Sequence, residues 1–374
     1  MNTVAVLAMD IHKKFSKAVA MDDKLQILDE WRIDHGDREV MAEFFRHFEG
    51  KTDVVMEATF NWPWIADVAT AMGLSPHLAH AQRAREMAKG MAKSDRKDAI
   101  FLGKLFLAGG NVFPESYLAP PHVRHMRSLF RQRLLLVRMR VAVKNALHGQ
   151  LFRAGVVVDE ESSDLFSLKG RALLSNLSLD PHERWLLDRK LATIDVLTAH
   201  IDSMQEVLEA DLQNDSRGEI LMSLPGVGKL TAYTLLAEIG EVGRFANGRA
   251  LAAYAGLLPL DRESADKDFG KRTNSSCNRY LRWAVLEAVT GACRRSPRMK
   301  SLHSRVKAKH PRQPGKARIA VARQLIETAH LLLTREELYQ ENPPPRPGSC
   351  GRGRSEDASH PNRASQAALC ARPK

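Results

Sequence analysis

Apolar and polar residues alternate with a strand-like rhythm at the start of the chain. β-Prone positions alternate over residues 3–10 and again over 15–21; a third such run spans 25–33 after a turn at Asp22, Asp23 and Lys24. The spacing then changes to threes and fours, and Val40, Met41, Phe44, Phe45 and Phe48 share one side of a helix that Asp37 can cap. A short buried-type strand over 53–58 carries Glu57, Asn61 and Pro63 open a helix that runs through Met72, and another strand is predicted at 75–79. A helix with Ile100, Phe101, Leu102, Leu105 and Phe106 at helical spacing completes the order β-β-β-α-β-α-β-α.

From Pro120 the pattern is that of long helices. Between His122 and Ala154, Met126, Leu129, Leu134, Val137, Val141 and Leu147 alternate with Arg124, Arg127, Arg131, Arg133, Arg138, Arg140 and Lys144, and no acid intervenes. Such a helix keeps an apolar stripe for a partner helix and a cationic stripe for phosphates, since ordinary exposed helices mix signs. A second, more acidic helix over 180–212 reads as the other arm of a helical hairpin or short coiled coil, a possible dimerisation device. The intervening residues 156–178 show no regular period.

The third region begins near Ile220. Leu224-Pro225-Gly226-Val227-Gly228-Lys229 lies between two helices and resembles a helix-hairpin-helix, whose glycines let backbone amides approach a phosphate; a tight helix-helix turn is the plainer reading. An apolar helix over 231–239 should be core. A helix stopping at Gly256 precedes a polar loop, 261–272, in which Ser264 sits among Lys and Arg. Such a serine is either a loop hydrogen bonder or a nucleophile toward DNA, its alkoxide stabilised by the neighbouring cations. Arg279 and Arg282 open the next helix as candidate phosphate clamps. A basic segment, 294–318, and a last helix, 319–338, follow, and the Pro, Gly, Ser and Arg-rich end should be a disordered basic tail. The division expected is 1–118, an α/β metal-binding domain; 119–215, a helical or coiled-coil middle; 216–340, a mostly helical serine-bearing domain; and 341–374, the tail.

Charge narrows the partner. Across 374 residues, 56 Lys and Arg exceed 44 Asp and Glu, a net +12 that points to nucleic acid. No stretch has the length of a membrane span and no signal-peptide pattern opens the chain, so the expected place is the cytoplasm. Four scattered cysteines suggest neither a zinc knuckle nor a disulfide framework, and no Walker loop or dinucleotide fingerprint occurs.

The acids supply the candidate chemistry. Asp95 and Asp98, three residues apart, project from one face at the start of a helix, with Lys93, Arg96 and Lys97 in the same turn. Helix N-termini favour Asp anyway, which is the bland explanation. Asp10, however, ends the first strand and Glu57 the fourth, and the element order is that of ribonuclease H-like folds, in which those two strands are neighbours. Four carboxylates would then meet and hold a hard divalent cation, Mg2+, while the cations hold phosphates.

The chain resembles the DEDD-type transposases of bacterial insertion sequences, the group of bridge-RNA-guided recombinases. The likeness rests on Ala8-Met9-Asp10-Ile11-His12-Lys13, Val54-Val55-Met56-Glu57-Ala58-Thr59, Ala92-Lys93-Ser94-Asp95-Arg96-Lys97-Asp98-Ala99, Leu224-Pro225-Gly226-Val227-Gly228, and Tyr254-Ala255-Gly256-Leu257-Leu258-Pro259 followed by Glu263-Ser264. It implies a RuvC-like N-terminal domain, a coiled-coil middle and a C-terminal domain whose nucleophile matches Ser264. It also implies Asp10, Glu57, Asp95 and Asp98 as metal ligands, double-stranded DNA and a guide RNA as partners, and a homo-oligomer, dimer or tetramer, in which the acidic domain of one protomer meets the serine domain of another. Two departures stand out. Ala265 replaces the usual Gly after the serine, and Asn274-Ser275-Ser276-Cys277-Asn278 replaces a Lys-x-Gly-Asn run, which leaves Ser275 and Ser276 as rival serines. The leading expectation is a metal-assisted DNA recombinase with a covalent serine–DNA intermediate. The alternatives are a resolvase-type metal-dependent nuclease and a non-catalytic nucleic-acid-binding remnant.

Overall fold

A computed structural model of the chain describes residues 4–341, except 49, 51, 91–93, 110–111, 157–163, 261–262, 265–266, 269–271, 274–276 and the side chains of 259–276. The chain divides into two compact units, Met1–His125 and Met126–Lys374.

In the first unit, β1 (Val6–Ile11), β2 (Phe15–Met21) and β3 (Ile27–Asp34) form an antiparallel meander. β1 also runs parallel to β4 (Asp53–Glu57), which pairs with β5 (Ser75–Ala79), and β6 (Glu115–Ser116) closes the edge, giving the order β3-β2-β1-β4-β5-β6. β3 starts later than its pattern suggests because Asp22 Oδ1 accepts from the amides of Lys24 and Gln26 and holds a wider turn.

The alternation of β1 assigns its faces. Leu7, Met9 and Ile11 join Met41 and Phe45 of α1 (Arg38–Arg46) and Ile65 and Ala69 of α2 (Trp62–Ala71) in one core. Val6 joins Val55, Ala99 and Leu102 on the opposite face, beneath α4 (Asp95–Leu107), which follows the short α3 (Ala81–Met87). Asp10 is in phase with Val6, and Glu57 with Val55, so both acids belong to the α4 side. Gly103 lets that helix lie low on the sheet. A Cβ there would stand 2.8 Å from Met21 Sδ and 3.1 Å from Ala8 Cβ.

The second unit is mostly helical. The body of α5 (Pro121–Arg153) and α7 (Pro181–Gln213) run antiparallel: Gln150 Nε2 donates to Glu183 O at 2.7 Å, Arg140 Nη1 donates to Thr198 Oγ1 at 3.1 Å, and Leu147 and Leu151 pack with Leu187 and Ile194. Between them lies α6 (Leu168–Asn176), capped by Ser167, in the stretch that shows no period in the sequence. The remaining helices are α8 (Ser216–Ser223), α9 (Lys229–Ile239), α10 (Gly248–Tyr254), α11 (Arg279–Arg295), α12 (Pro297–Lys309) and α13 (Gly315–Arg335). Phe130 of α5 and Leu208 and Leu212 of α7 share one core with α9, α11 and α13, so most of the expected regions 119–215 and 216–340 fall in a single compact unit. Backbone pairing joins β7 (Pro259–Leu260) to β10 (Arg272–Thr273) and β8 (Glu263–Ser264) to β9 (Lys267–Asp268). Among the described residues, no helix is long and apolar enough to cross a membrane.

Candidate functional site

At the end of β1, Asp10 and Asp95 approach each other across His12. His12 Nε2 stands 3.1 Å from Asp10 Oδ2 and 3.3 Å from Asp95 Oδ2, and one ligand atom from each of the three residues lies within 4.8 Å of the others. The ring is fixed from two directions. It stacks on Phe15 with centroids 4.6 Å apart, and Asn61 Nδ2 donates to the carbonyls of His12 and Lys13 at 2.9 and 3.1 Å. On the other side, Ser94 caps α4 by accepting from the Lys97 amide, which sets Asp95 and Asp98 in the first turn.

The electrostatics of the cluster are unbalanced. Burial pushes the Asp10 carboxyl above its usual range; His12 opposes that shift, and the charges of Asp95 and Asp98 add to it. His12 Nε2 is buried yet meets neither carboxylate in good hydrogen-bond geometry. Crowded carboxylates facing an under-satisfied nitrogen form a donor set that suits a divalent cation, with solvent reaching it past Asp95, which is half exposed.

The other expected ligands lie nearby or on the same face. Asp98 is near enough to act on the Asp10 charge, and Glu57 shares the α4 face of the sheet, its carboxylate 3.9 Å from Arg85 Nη2. His12 was not expected as a member of the group. Its position two residues after Asp10, in phase with it, was the available signal. Lys93 lies outside the described residues. Arg96 donates from Nε to Glu30 Oε1 at 2.7 Å, and Lys17 faces the same carboxylate at 3.4 Å, so its guanidinium is already engaged.

The arginines expected as a basic stripe at the start of α5 find partners within the chain. Arg124 donates to both oxygens of Asp67. Arg131 Nη2 donates to Glu238 Oε1 and Oε2 at 2.9 and 3.1 Å, and Arg127 donates to the carbonyls of Ala237 and Glu238 with its Nε 3.5 Å from Glu238 Oε2. Glu238 is fully buried, and its low-dielectric setting recruits these donors. Burial also lowers the Arg127 pKa, against the pull of Glu238. Asn278 Nδ2 donates to the same carboxylate at 2.7 Å while its Oδ1 caps α11.

Gly226 packs against its own chain. Its φ is +84°, and a Cβ would meet Ala288 O and Ala292 N at 2.3 Å. The close approach this glycine permits is to the backbone of α11. Gly228 has open space around it and begins α9, whose Lys229 pairs with Glu209 at 2.5 Å. Arg279 is exposed and Arg282 partly so. The backbone of Ser264 lies in β8; its side chain, with those of Ser275 and Ser276, is outside the described residues.

Comparison with known proteins adds an independent line. Residues 7–154 match the DEDD transposase family of IS110 elements, described as Transposase, and residues 218–304 match a family described as Transposase IS116/IS110/IS902 family. The transposase for insertion sequence element IS1111A of Coxiella burnetii is 24% identical over 77% of this chain and 79% of its own length. Putative transposase y4rJ of Sinorhizobium fredii is 27% identical over 74% of each chain. The mini-circle putative transposase for IS117 of Streptomyces coelicolor is 37% identical, over 27% of this chain and 26% of its own.

Proposed function

Because the chain belongs to the IS116/IS110/IS902 family of insertion-sequence transposases, we propose that it cuts and exchanges strands of double-stranded DNA through an RNase H-like, RuvC-like first domain with a divalent metal, Mg2+, and a serine nucleophile, Ser264. The observation that carries this reading is the convergence of Asp10 and Asp95, 85 positions apart, on one histidine nitrogen. Asp10, Glu57, Asp95 and Asp98 would hold the cation, which when bound supplies charge neutralisation for the phosphate oxygens. His12 Nε2, 3.1 Å from Asp10 and 3.3 Å from Asp95, lies between them and would complete the donor set.

In the cleavage step, Ser264 Oγ adds in line to the scissile phosphorus. The Oγ–P bond forms as the bond from phosphorus to the 3′ oxygen breaks, and the hydroxyl proton passes to solvent or to the leaving oxygen. The resulting phosphodiester keeps the bond energy, so strand exchange requires no nucleotide. In line with the family resemblance, the serine domain acts on the acid cluster of a second copy, in a homo-oligomer, and a guide RNA selects the DNA.

A duplex of the element's own joined ends, incubated with protein, magnesium and RNA transcribed from the element's flanks, tests this on a denaturing gel. Wild type should give a covalent protein–DNA band that Ser264→Ala and Asp95→Asn both lack. The carboxylate cluster by itself also suits a second reading, metal-dependent hydrolysis. Cleavage by Ser264→Ala without a covalent band would establish that one instead.

A further inference from the structure

No Asp or Glu occurs between Glu287 and Glu327. Within that interval Lys300, Arg305, Lys307, Lys309, Arg312 and Lys316 are all exposed, and none has an ion-pair partner among the described residues. They flank a turn whose backbone is tied: His310 N donates to Val306 O at 3.1 Å, Gln313 N to His310 O at 3.0 Å and Lys316 N to Gln313 O at 3.0 Å. Buried Met299 on one side and Ala317 and Val321 on the other seat α12 and α13 in the fold, so the cations project from a fixed support.

Lys316 and Arg318 oppose the ordinary helix preference, whereas Lys307 and Lys309 lie in the last turn of α12, where cations are favoured. Neither α12 nor α13 has an acid in its first turn, and α13 follows its N-cap Pro314 without a side-chain cap bond, with Lys316 and Arg318 next along it. Cations near the positive end of a helix dipole repel it; Glu341 Oε1 accepts from the Arg298 amide at the start of α12, but among the described residues no acid pairs with Lys316 or Arg318 to offset them. An external polyanion would. The surroundings fit a polynucleotide better than a lipid surface, because among the described residues no large apolar side chain is exposed between Met222 and Leu331 to anchor in a bilayer. Arg124, Arg127 and Arg131, by contrast, spend their donors on Asp67 and Glu238.

We infer that the cations around the α12–α13 turn form a contact surface for the phosphodiester backbone of a nucleic-acid duplex, one that positions the polymer without reading its sequence. The partner class rests on the proposed function; the test does not depend on cleavage. Full-length protein is titrated in EDTA with a random-sequence duplex DNA and with an RNA hairpin of similar length, over a range of salt. Lys307→Ala/Lys309→Ala/Arg312→Ala is compared with a charge-matched control, Lys169→Ala/Arg189→Ala/Arg249→Ala, whose sites are equally exposed.

The surface variant should bind at least one of the two polymers about tenfold more weakly at low salt, and for DNA the log–log salt slope should shrink by about 2.7, roughly 0.9 per lost phosphate contact. The control should keep the wild-type slope, and thermal unfolding should be alike in all three proteins. The polymer that responds identifies the occupant. Wild-type binding of both polymers by the surface variant, or an equal loss in the control, overturns the inference. Absence of a covalent band from Ser264 would leave these titrations untouched.

Discussion

Two carboxylate clusters, one in each unit, differ in how far the fold itself completes them. Glu238 is buried and its oxygens accept from Arg131 and Asn278, with Arg127 alongside. Asp10 is nearly as enclosed, at 13% side-chain exposure, yet its charged neighbours are one histidine and two further acids. Burying a charge is costly unless partners satisfy it. The second unit satisfies Glu238 from within; the first unit leaves Asp10 among like charges. A carboxylate filled by its own chain is a structural tie, whereas one crowded by other carboxylates has the donor set that suits a cation. Each unit also has a glycine that lets its elements pack closely. Gly226 gives its space to α11, and Gly103, within α4, gives its space to Met21 and Ala8 of the sheet.

The largest effect should come from breaking the completed cluster. Glu238→Ala strands the enclosed Arg127, takes the carboxylate from the more exposed Arg131 and frees the Asn278 amide. Loss of one partner from such a group costs about 3–5 kcal/mol, read by urea unfolding of the full chain. A loss below about 1 kcal/mol, the range of exposed ion pairs, would erase the distinction between the two clusters.

Next comes Gly226→Ala. Left-handed backbone costs a non-glycine residue about 1–2 kcal/mol and an overpacked contact about 1–3 kcal/mol, so about 3 kcal/mol of stability should go. Duplex DNA affinity, measured well below the melting temperature, should stay near the wild-type value. Gly228→Ala, with open space and φ of −101°, should shift stability by less than about 1 kcal/mol. A reversed order of affinities, with Gly226→Ala binding poorly while fully folded, would return that glycine to a ligand role.

Much of this architecture was legible in the residues. The strands at Phe15–Met21 and Ser75–Ala79 fall where alternation puts them, and Asp37 caps its helix. The meeting of Asp10 with Asp95 follows from strand phase plus a helix that begins with acids. What could not be read was partnership at long range. The basic stripe of α5 looked free because its counter-charge, Glu238, lies 107 positions away from Arg131 inside the buried stretch of α9. His12 was hidden for a related reason: its place depends on Asn61 and Phe15, which hold the loop and ring, and neither contact leaves a periodic trace. The hairpin strands β7 to β10, each of two residues, are too short to show a period.

The smallest expected effect is the most discriminating, because it asks whether the first cluster is truly incomplete. The Asp10 carboxyl is raised above its ordinary value of 3.8, chiefly by burial, so the folded state holds this proton more tightly than the unfolded chain does. Its stabilising contribution is therefore complete below pH 3.8 and is lost as pH rises through the folded value. Asp10→Asn, neutral throughout, should match wild type in acid and unfold at higher temperature than wild type at neutral pH in EDTA. Magnesium should reverse that order. At ten times its dissociation constant, a bound cation adds about 1.4 kcal/mol to the wild type, and the variant, short of one ligand, should gain less. If the variant is less stable than wild type in EDTA at neutral pH, then His12 already neutralises the cluster. Asp10 would then be a tie of the same kind as Glu238.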